Sequence, residues 1–242
     1  MNSDLSPILH GWDYDPARVS ARWIIGRDGR LKVQLRLDLG VLQMEPEGRP
    51  DGRRPRGHES VLAYYRSLQA GMPVLDPAAC AELQQEAMQY YYRYLAFQAL
   101  RHFDGVIRDT EHNLDIVDLV EQHAADEDME WAFLQFYPYI RMMNARARAE
   151  KNMGEQREPE AVAILQEAVS DIRSFWRRQG EEGAPPGSPE IEALTDLLGR
   201  IRRQGPRDRG EELREGLARA IAEEKYEDAA RLRDQLREIG EP

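Results

Sequence analysis

A segment of 30 residues near the end of the chain, Glu211 to Gly240, constrains the fold most. Two apolar series at helical spacing occur in it, with charged and aromatic residues between them. Because side chains that recur every three or four residues share one face of an α-helix, we predict two short amphipathic helices. A tight connection allows them to fold back as an antiparallel hairpin. The series are Leu213, Leu217, Ala220 and Ile221, then Ala229, Leu232, Leu236 and Ile239.

The predicted hairpin is too small to form a core of its own. Single-core domains below about 40 residues usually need disulfides, metals or oligomerisation, and this segment contains no cysteine and no metal-ligand set. We therefore expect its apolar face to meet another helical pair, from the same protein, a second copy or a different protein. The small residues Ala229 and Ala230 would let the helices approach closely.

The hairpin also carries the pattern Leu-x3-Leu-x2-Ala-Ile, followed by Tyr-Glu-x-Ala-Ala-x-Leu-Arg-Asp. In these residues, roughly the last eighth of the chain, it resembles the UVR (UvrB/UvrC) motif. The resemblance implies a hairpin that joins the helicase and nuclease subunits of bacterial nucleotide excision repair, that can self-associate, and that also occurs in Clp-type ATPases and their adaptors. It places Tyr226 at the interface aromatic and Arg233 and Asp234 at a polar pair. Tyr226 could instead, or also, fill the hairpin's own small core.

The resemblance implies a non-catalytic interaction protein linked to nucleotide excision repair, whose partner carries a UVR motif or is a second copy of the chain. None of the helicase motifs and no evident nuclease site of those repair subunits occurs in the chain. One alternative is an adaptor or regulator of a Clp-type ATPase in protein quality control, although such adaptors typically carry paired-cysteine zinc sites. Another is an enzyme with a site in the central helices. The predicted partner-binding residues are Leu213, Leu217, Ile221, Tyr226, Ala229, Ala230, Leu232, Arg233, Asp234 and Leu236.

Charge and cysteine content exclude several classes of site. A net charge of -11 and a pI near 5.1 argue against a whole-protein field that attracts nucleic acid. Direct DNA binding would need a contiguous basic face, for example 49–56 continuing onto Arg141, Arg146 and Arg148. The only cysteine, Cys80, excludes an intramolecular disulfide and a multi-cysteine zinc site, and its alanine neighbours predict a buried thiol. No stretch approaches the ~20 apolar residues of a membrane span, so we expect a soluble cytoplasmic protein.

Near the N-terminus the pattern favours a β-hairpin. Residues 31–39 alternate strictly between apolar and polar, which predicts a half-buried strand. Asp28 and Gly29 separate it from the apolar run 21–26, so the two runs should pair through a turn. Residues 40–44 would extend the second strand past a bulge at Gly40. The apolar face should lie on the helices that follow or pair with a partner's strand.

Residues 45–58 are punctuated by glycine and proline and are predicted to form an irregular loop. The loop is either a solvated connection or a contact for an anion or an acidic partner. Its basic residues are Arg49, Arg53, Arg54 and Arg56.

From residue 59 onward the periodicity is helical. The predicted helices span 59–70, 77–103, 110–125, 127–152, 159–179 and 190–203, and the alanine-bearing pairs resemble tetratricopeptide-type repeats without a clean 34-residue self-match. Two aromatic groups are predicted to form core. They are Tyr90, Tyr91, Tyr92, Tyr94 and Phe97, then Trp131, Phe133, Phe136, Tyr137 and Tyr139.

The residues predict a mainly α protein in four parts: a β-hairpin with its loop (1–57), a central helical domain (58–179), a linker with a short helix (180–210) and the terminal hairpin (211–242). No two histidines among His102, His112 and His123 have the spacing of metal ligands on one helix face. No nucleophile motif occurs either. We therefore expect no catalytic, metal or cofactor site.

Overall fold

The computed structural model of this protein describes residues 4–68, 71–180, 185, 187–204, 209–222 and 225–238. In these ranges the fold is mainly α with an antiparallel sheet near the N-terminus, as predicted. The chain divides into two compact units, residues 1–194 and 195–242. Several residues on which predictions were made lie outside the described residues. They are the last two residues of the predicted helix 59–70, residues 181–184, 186 and 205–208 of the predicted linker, the connection residues Glu223 and Glu224, and Ile239.

The described residues form strands and helices with the following bounds. The strands are β1 (Ala21–Ile25), β2 (Leu31–Leu37) and β3 (Gly40–Met44). The helices are α1 (Ser6–Leu9), α2 (Val61–Ser67), α3 (Pro77–Ala99), α4 (Phe103–His123), α5 (Glu127–Leu134), α6 (Tyr137–Gly154), α7 (Glu158–Arg178), α8 (Pro189–Gln204), α9 (Arg209–Ala222) and α10 (Tyr226–Glu238).

The first two strands form the predicted hairpin. β1 pairs antiparallel with β2, and Ile25 lies opposite Leu31 beside the turn. In the turn, Oδ1 of Asp28 accepts a hydrogen bond from the amide of Arg30 at 3.1 Å. Gly29 has a φ of +74°, a conformation that glycine adopts without steric cost. The Asp-Gly prediction is confirmed.

Residues 40–44 do not extend the second strand, and this part of the prediction is wrong. They form β3, which turns back and pairs antiparallel with β2, so that Leu37 lies opposite Gly40. Asp38 and Leu39 make the two-residue connection, and Leu39 is 90% exposed. Because Leu39 in this turn is apolar, the apolar–polar alternation of β2 continues past Leu37, and the pattern does not show that the strand ends there.

The apolar face of the sheet packs on α3, as predicted. Val33 and Leu35 of β2 are buried. Trp23, the neighbour of Val33 on β1, places its ring 5.7 Å from the ring of Phe97 on α3. The sheet is therefore attached to the central helices through its apolar side.

The polar face of β2 is buried as well, although the alternation predicts that it faces solvent. Lys32 and Gln34 are both buried. Gln34 accepts a hydrogen bond from Nε of Arg22 at 2.8 Å and donates one to Gln43 at 3.0 Å. Because these bonds link side chains across all three strands, they satisfy polar groups that would otherwise be costly to bury.

The boundary between α3 and α4 differs from the predicted one. α3 begins as predicted, with Oδ1 of Asp76 accepting a hydrogen bond from the amide of Ala79 at 2.8 Å. It ends at Ala99 rather than Phe103, and α4 begins at Phe103 rather than Thr110. The chain reverses at Arg101, which takes a φ of +56° in place of the usual glycine.

The predicted helix 127–152 is two helices, α5 and α6. Pro138 lies in the first turn of α6. Because proline has no N–H to donate to the carbonyl of Leu134 and its ring crowds that carbonyl, the helix ends and starts again. The remaining helices agree more closely with their predictions, and α7 and α8 each begin and end within one residue of them.

The core of the central helices is formed by apolar residues of α2 to α7. α3 packs on α4, α4 on α6, and α6 on α7. Cys80 is buried, as predicted, and burial raises the pKa of its thiol. No helix in the described ranges is both long and apolar enough to cross a membrane.

Candidate interaction site

The terminal hairpin has the geometry that its two apolar series predict. α9 and α10 pack against each other. Leu213 and Ala220 on α9 are buried, as are Ala229 and Leu236 on α10. Leu217 and Leu232, which complete the two stripes, are half-buried.

The two helices are in close contact at Gly216, a glycine that the sequence pattern did not single out. A Cβ added to Gly216 would lie 3.3 Å from Cδ1 of Leu232, a distance tighter than ordinary van der Waals contact. Of the two alanines expected to allow close approach, Ala229 is buried but Ala230 is exposed. A glycine in the middle of a helix lowers helix propensity by about 1 kcal/mol relative to alanine, which makes such a position a signal of close packing.

Two large apolar side chains flank the connection between the helices and are exposed. Ile221, in the last turn of α9, is 55% exposed, and Tyr226, the first residue of α10, is 69% exposed. The amide of Lys225 donates a hydrogen bond to the carbonyl of Ala220 at 2.8 Å, which closes the turn. Of the two roles considered for Tyr226, filling the hairpin's own core is therefore wrong.

The remaining predicted partner-binding residues are polar and exposed. Arg233 donates from Nε and Nη2 to Oδ1 of Asp234 at 3.4 and 3.3 Å, so the predicted polar pair is a contact between neighbours in sequence. A groove of about 420 Å³ lies between the two helices, and neither Arg233 nor Asp234 is among its lining residues. Its lining includes Arg219, Arg231 and Asp228, so its charge is mixed.

The comparison with protein families identifies this hairpin. Residues 211–241 match the UvrB/uvrC motif (UVR). No curated protein and no solved structure matches the chain. The UVR match therefore supports a protein-interaction role for this hairpin and does not extend to the sheet or the central helices.

The arginines of the loop 45–58 are mostly engaged within the protein. Nε of Arg49 lies 3.2 Å from Oε2 of Glu86, and Arg56 donates to both carboxylate oxygens of Glu82. Arg54 donates to the carbonyl of Gly57. The side chain of Arg53 is exposed, and among the described residues it forms no ion pair. An anion contact at this loop stays a prediction, with Arg53 as its most accessible residue.

The three helical arginines of the basic face considered for DNA binding are paired with carboxylates in the structure. Arg141 pairs with Asp171 at 2.9 Å and Arg146 with Glu150 at 2.8 Å. Arg148 pairs with a carboxylate on α4. These partners remove the uncompensated positive charge on which phosphate binding depends.

A buried ionic network that sequence reasoning missed fastens the loop 45–58 to the central helices. Arg93 of α3 and Asp109 of α4 are both fully buried and form a two-point ion pair, with Nε and Nη2 each 2.7 Å from a carboxylate oxygen. Nη1 of Arg93 donates to the carbonyls of Glu45 and Gly48 at 2.9 and 2.7 Å. One arginine therefore joins two helices and the loop. Its only sequence signal is a lone charge inside the aromatic run of α3.

Glu86 of α3 is a further buried charge, and it holds the start of α2. Its oxygens accept hydrogen bonds from the amides of Val61 and Leu62 at 2.7 and 3.0 Å. Nε2 of His112 lies 3.1 Å from the same carboxylate. Burial raises the pKa of Glu86, but the hydrogen bonds from His112 and the two amides outweigh burial and leave the pKa below its usual value.

Two of the histidines considered as metal ligands pack on aromatic rings. His112 stacks on Tyr90 with 3.6 Å between ring centroids, and His102 packs on Trp23. No group of three or more potential ligands converges within the described residues. The pKa of Asp118 is raised by partial burial and by its acidic neighbours, but this residue lies on an exposed helix surface.

Proposed function

We propose that this protein is a non-catalytic interaction protein whose UVR hairpin docks onto a hairpin of the same kind, in an excision-repair subunit or in a second copy of the chain. The observation that carries the proposal is the exposure of Ile221 and Tyr226 at one end of the hairpin. Single exposed apolar residues are common on protein surfaces. Two large ones flanking one short connection, in a motif associated with protein interaction, form a compact anchor.

The size of the hairpin supports the same conclusion. Its helices have 14 and 13 residues, and their mutual contact uses one narrow stripe from each. Pairs of such helices gain stability by closing a four-helix arrangement with a second pair. The exposed charges of Arg233 and Asp234 would then lie at the rim, where charges determine orientation and partner choice more than affinity.

The link to nucleotide excision repair is the narrower part of the proposal and rests on the motif. An excision-repair helicase subunit carrying its own UVR motif is the partner to test first, with the chain itself as the second. A Clp-type ATPase in the same assay tests the alternative partner.

The test measures binding of the full chain by calorimetry against the purified helicase subunit, and self-association by sedimentation. The variants are Ile221→Asp and Tyr226→Asp, both at exposed positions. Aspartate at the first residue of α10 is favourable for the helix, so the hairpin should stay folded. A buried carboxylate without a partner should weaken docking at least about 30-fold, equivalent to about 2 kcal/mol.

Two control variants separate docking from folding. Ala218→Asp introduces the same single negative charge at an exposed position of α9 that is not among the predicted partner-binding residues, and should leave binding within about twofold. Leu236→Asp disrupts the buried stripe and should abolish both helicity of the hairpin and binding. The proposal is wrong if the intact protein neither self-associates nor binds the subunit, or if Ile221→Asp and Tyr226→Asp bind as tightly as the intact chain.

A further inference from the structure

The central helices form a half-open cavity that the UVR hairpin does not explain. It lies among α3, α4, α5 and α6 and has a volume of about 480 Å³, within the range of about 300–1,000 Å³ that is typical of small-molecule sites. The cavity belongs to the first unit and the UVR hairpin to the second, so a role for the cavity does not depend on the proposed docking function.

The walls of this cavity are aromatic. Tyr91 and Tyr94 come from α3, Phe133 from α5 and Tyr139 from α6, with Phe136 between the last two helices. Tyr94 and Phe133 are buried, as predicted for core residues, whereas Tyr91 and Tyr139 are half-buried and Phe136 is exposed. The ring of Tyr91 packs edge-on against Tyr94 at 5.4 Å and lies 6.3 Å from the ring of Tyr139. The remaining ring surface of this second group borders the cavity and is available to an aromatic ligand.

One polar group in the wall lacks a partner. Asn113 of α4 lines the cavity and is only 4% exposed. Its Nδ2 donates to the carbonyl of Ala87 at 3.0 Å, but its buried Oδ1 accepts no hydrogen bond from the described part of the chain. Such an atom is an exception in folded proteins, since leaving a buried acceptor unpaired costs about 1–3 kcal/mol. Oδ1 has almost no accessible surface, so a ligand reaches it when the side chain of Asn113 turns toward the cavity, and a hydrogen bond donated to Oδ1 would then remove this cost.

The lining determines the charge of that ligand. Among the described residues that border the cavity there is no carboxylate, lysine, arginine or histidine. A charged molecule would lose its hydration there without compensation, and would be excluded. Burial raises the pKa of Tyr139 to about 12, so this hydroxyl also stays neutral at physiological pH.

We propose that this cavity binds an uncharged, mainly aromatic small molecule, about the size of two fused rings or slightly larger, whose hydroxyl or N–H group donates to Oδ1 of Asn113. The aromatic walls supply contact area, and Asn113 selects ligands that carry a hydrogen-bond donor. A second protein segment seated in the cavity is the competing occupant.

The experiment uses the full chain and a matched pair of probes, 2-naphthol and 2-methoxynaphthalene, which differ in the hydrogen-bond donor. Calorimetry should show that 2-naphthol binds about fivefold more tightly than its ether, equivalent to about 1 kcal/mol. In Asn113→Leu this preference should disappear while the ether still binds. Ala132→Phe, which fills the cavity from α5, should abolish binding of both probes. Ala163→Phe adds the same ring at an exposed position on α7 and should change neither affinity.

Three results would overturn the proposal. The first is that the intact protein binds neither probe, or binds both equally. The second is that Ala132→Phe, shown to be folded by circular dichroism, retains binding. The third is that sedimentation finds a dimer of the intact chain that Ala132→Phe dissociates, which would assign the cavity to a second copy.

Discussion

Replacing Asp109 with asparagine tests whether the buried network holds the first unit together. Asp109 and Arg93 are both fully buried, and their two hydrogen bonds are each 2.7 Å long. Asparagine keeps the size of the side chain but removes the negative charge. It also turns one acceptor into a donor that faces the donors of Arg93. The guanidinium then stays buried with an uncompensated charge.

The expected cost follows from this geometry. Breaking one side of a buried ion pair destabilises proteins by about 3–5 kcal/mol, because the remaining charge cannot regain its hydration. The stability of a typical domain is about 5–15 kcal/mol, so this loss is a large fraction. In the double variant Arg93→Met/Asp109→Leu both charges of the pair are removed, so neither is left buried without its partner. The loss should then fall to about 2 kcal/mol, since the carbonyls of Glu45 and Gly48 each lose one hydrogen bond.

Tryptophan fluorescence during urea unfolding measures this loss in the first unit alone. All four tryptophans lie between Trp12 and Trp176, within residues 1–194. At an m value of about 2 kcal/mol/M, Asp109→Asn should lower the midpoint by about 2 M. The matched control is Arg66→Ala, which breaks the half-exposed ion pair with Asp115 and should cost at most about 1 kcal/mol. If Asp109→Asn costs no more than this control, the pair is not shielded from water and the reasoning fails.

Three further outcomes are expected from the same unfolding assay. The folded-state pKa of Glu86 is lowered, so the stability that its carboxylate contributes is present above the unfolded pKa of about 4.3 and is lost as pH falls through the folded pKa. The difference in unfolding free energy between the intact protein and Glu86→Gln should therefore shrink on acidification. A difference that stays constant with pH would contradict this. Gly105→Ala should lower the free energy of unfolding by about 1–3 kcal/mol, although alanine favours a helix more than glycine, because the added Cβ would lie 2.5 Å from the ring of Phe97. An unchanged urea midpoint would show that α3 and α4 have room to separate. Asp76→Ala should lower the free energy of unfolding by about 1 kcal/mol, and Asp76→Asn should lower it less, since asparagine can still accept the hydrogen bond from the amide of Ala79. Equal losses in the two variants would mean that this N-cap hydrogen bond does not account for the stability.

Features encoded by neighbouring residues could be predicted from the sequence. The terminal hairpin, the Asp-Gly turn and the start of α3 at Asp76 and Pro77 each depend on a few consecutive positions. Their periodicity or turn chemistry has one favoured solution, and the structure has that solution in each case. The UVR match is of the same kind, because the motif is a short contiguous segment.

Boundaries were harder to predict where one local signal concealed another. The alternation through Leu39 hid the turn before β3. The helical periodicity around Pro138 hid the break between α5 and α6. In both regions the apolar pattern continued across a change of direction, so the pattern predicted the element but not its end.

Only the tertiary structure decided which residues meet. Arg93 and Asp109 are 16 positions apart, and Arg93 and Glu45 are 48 apart, so no periodicity within one element can connect them. The cavity around Asn113 requires four helices to be placed together, and the exposure of Tyr226 depends on how two stripes close on each other. The physical reason is that periodicity determines which face of an element is apolar, whereas burial, ion pairing and empty volume depend on which faces meet in three dimensions.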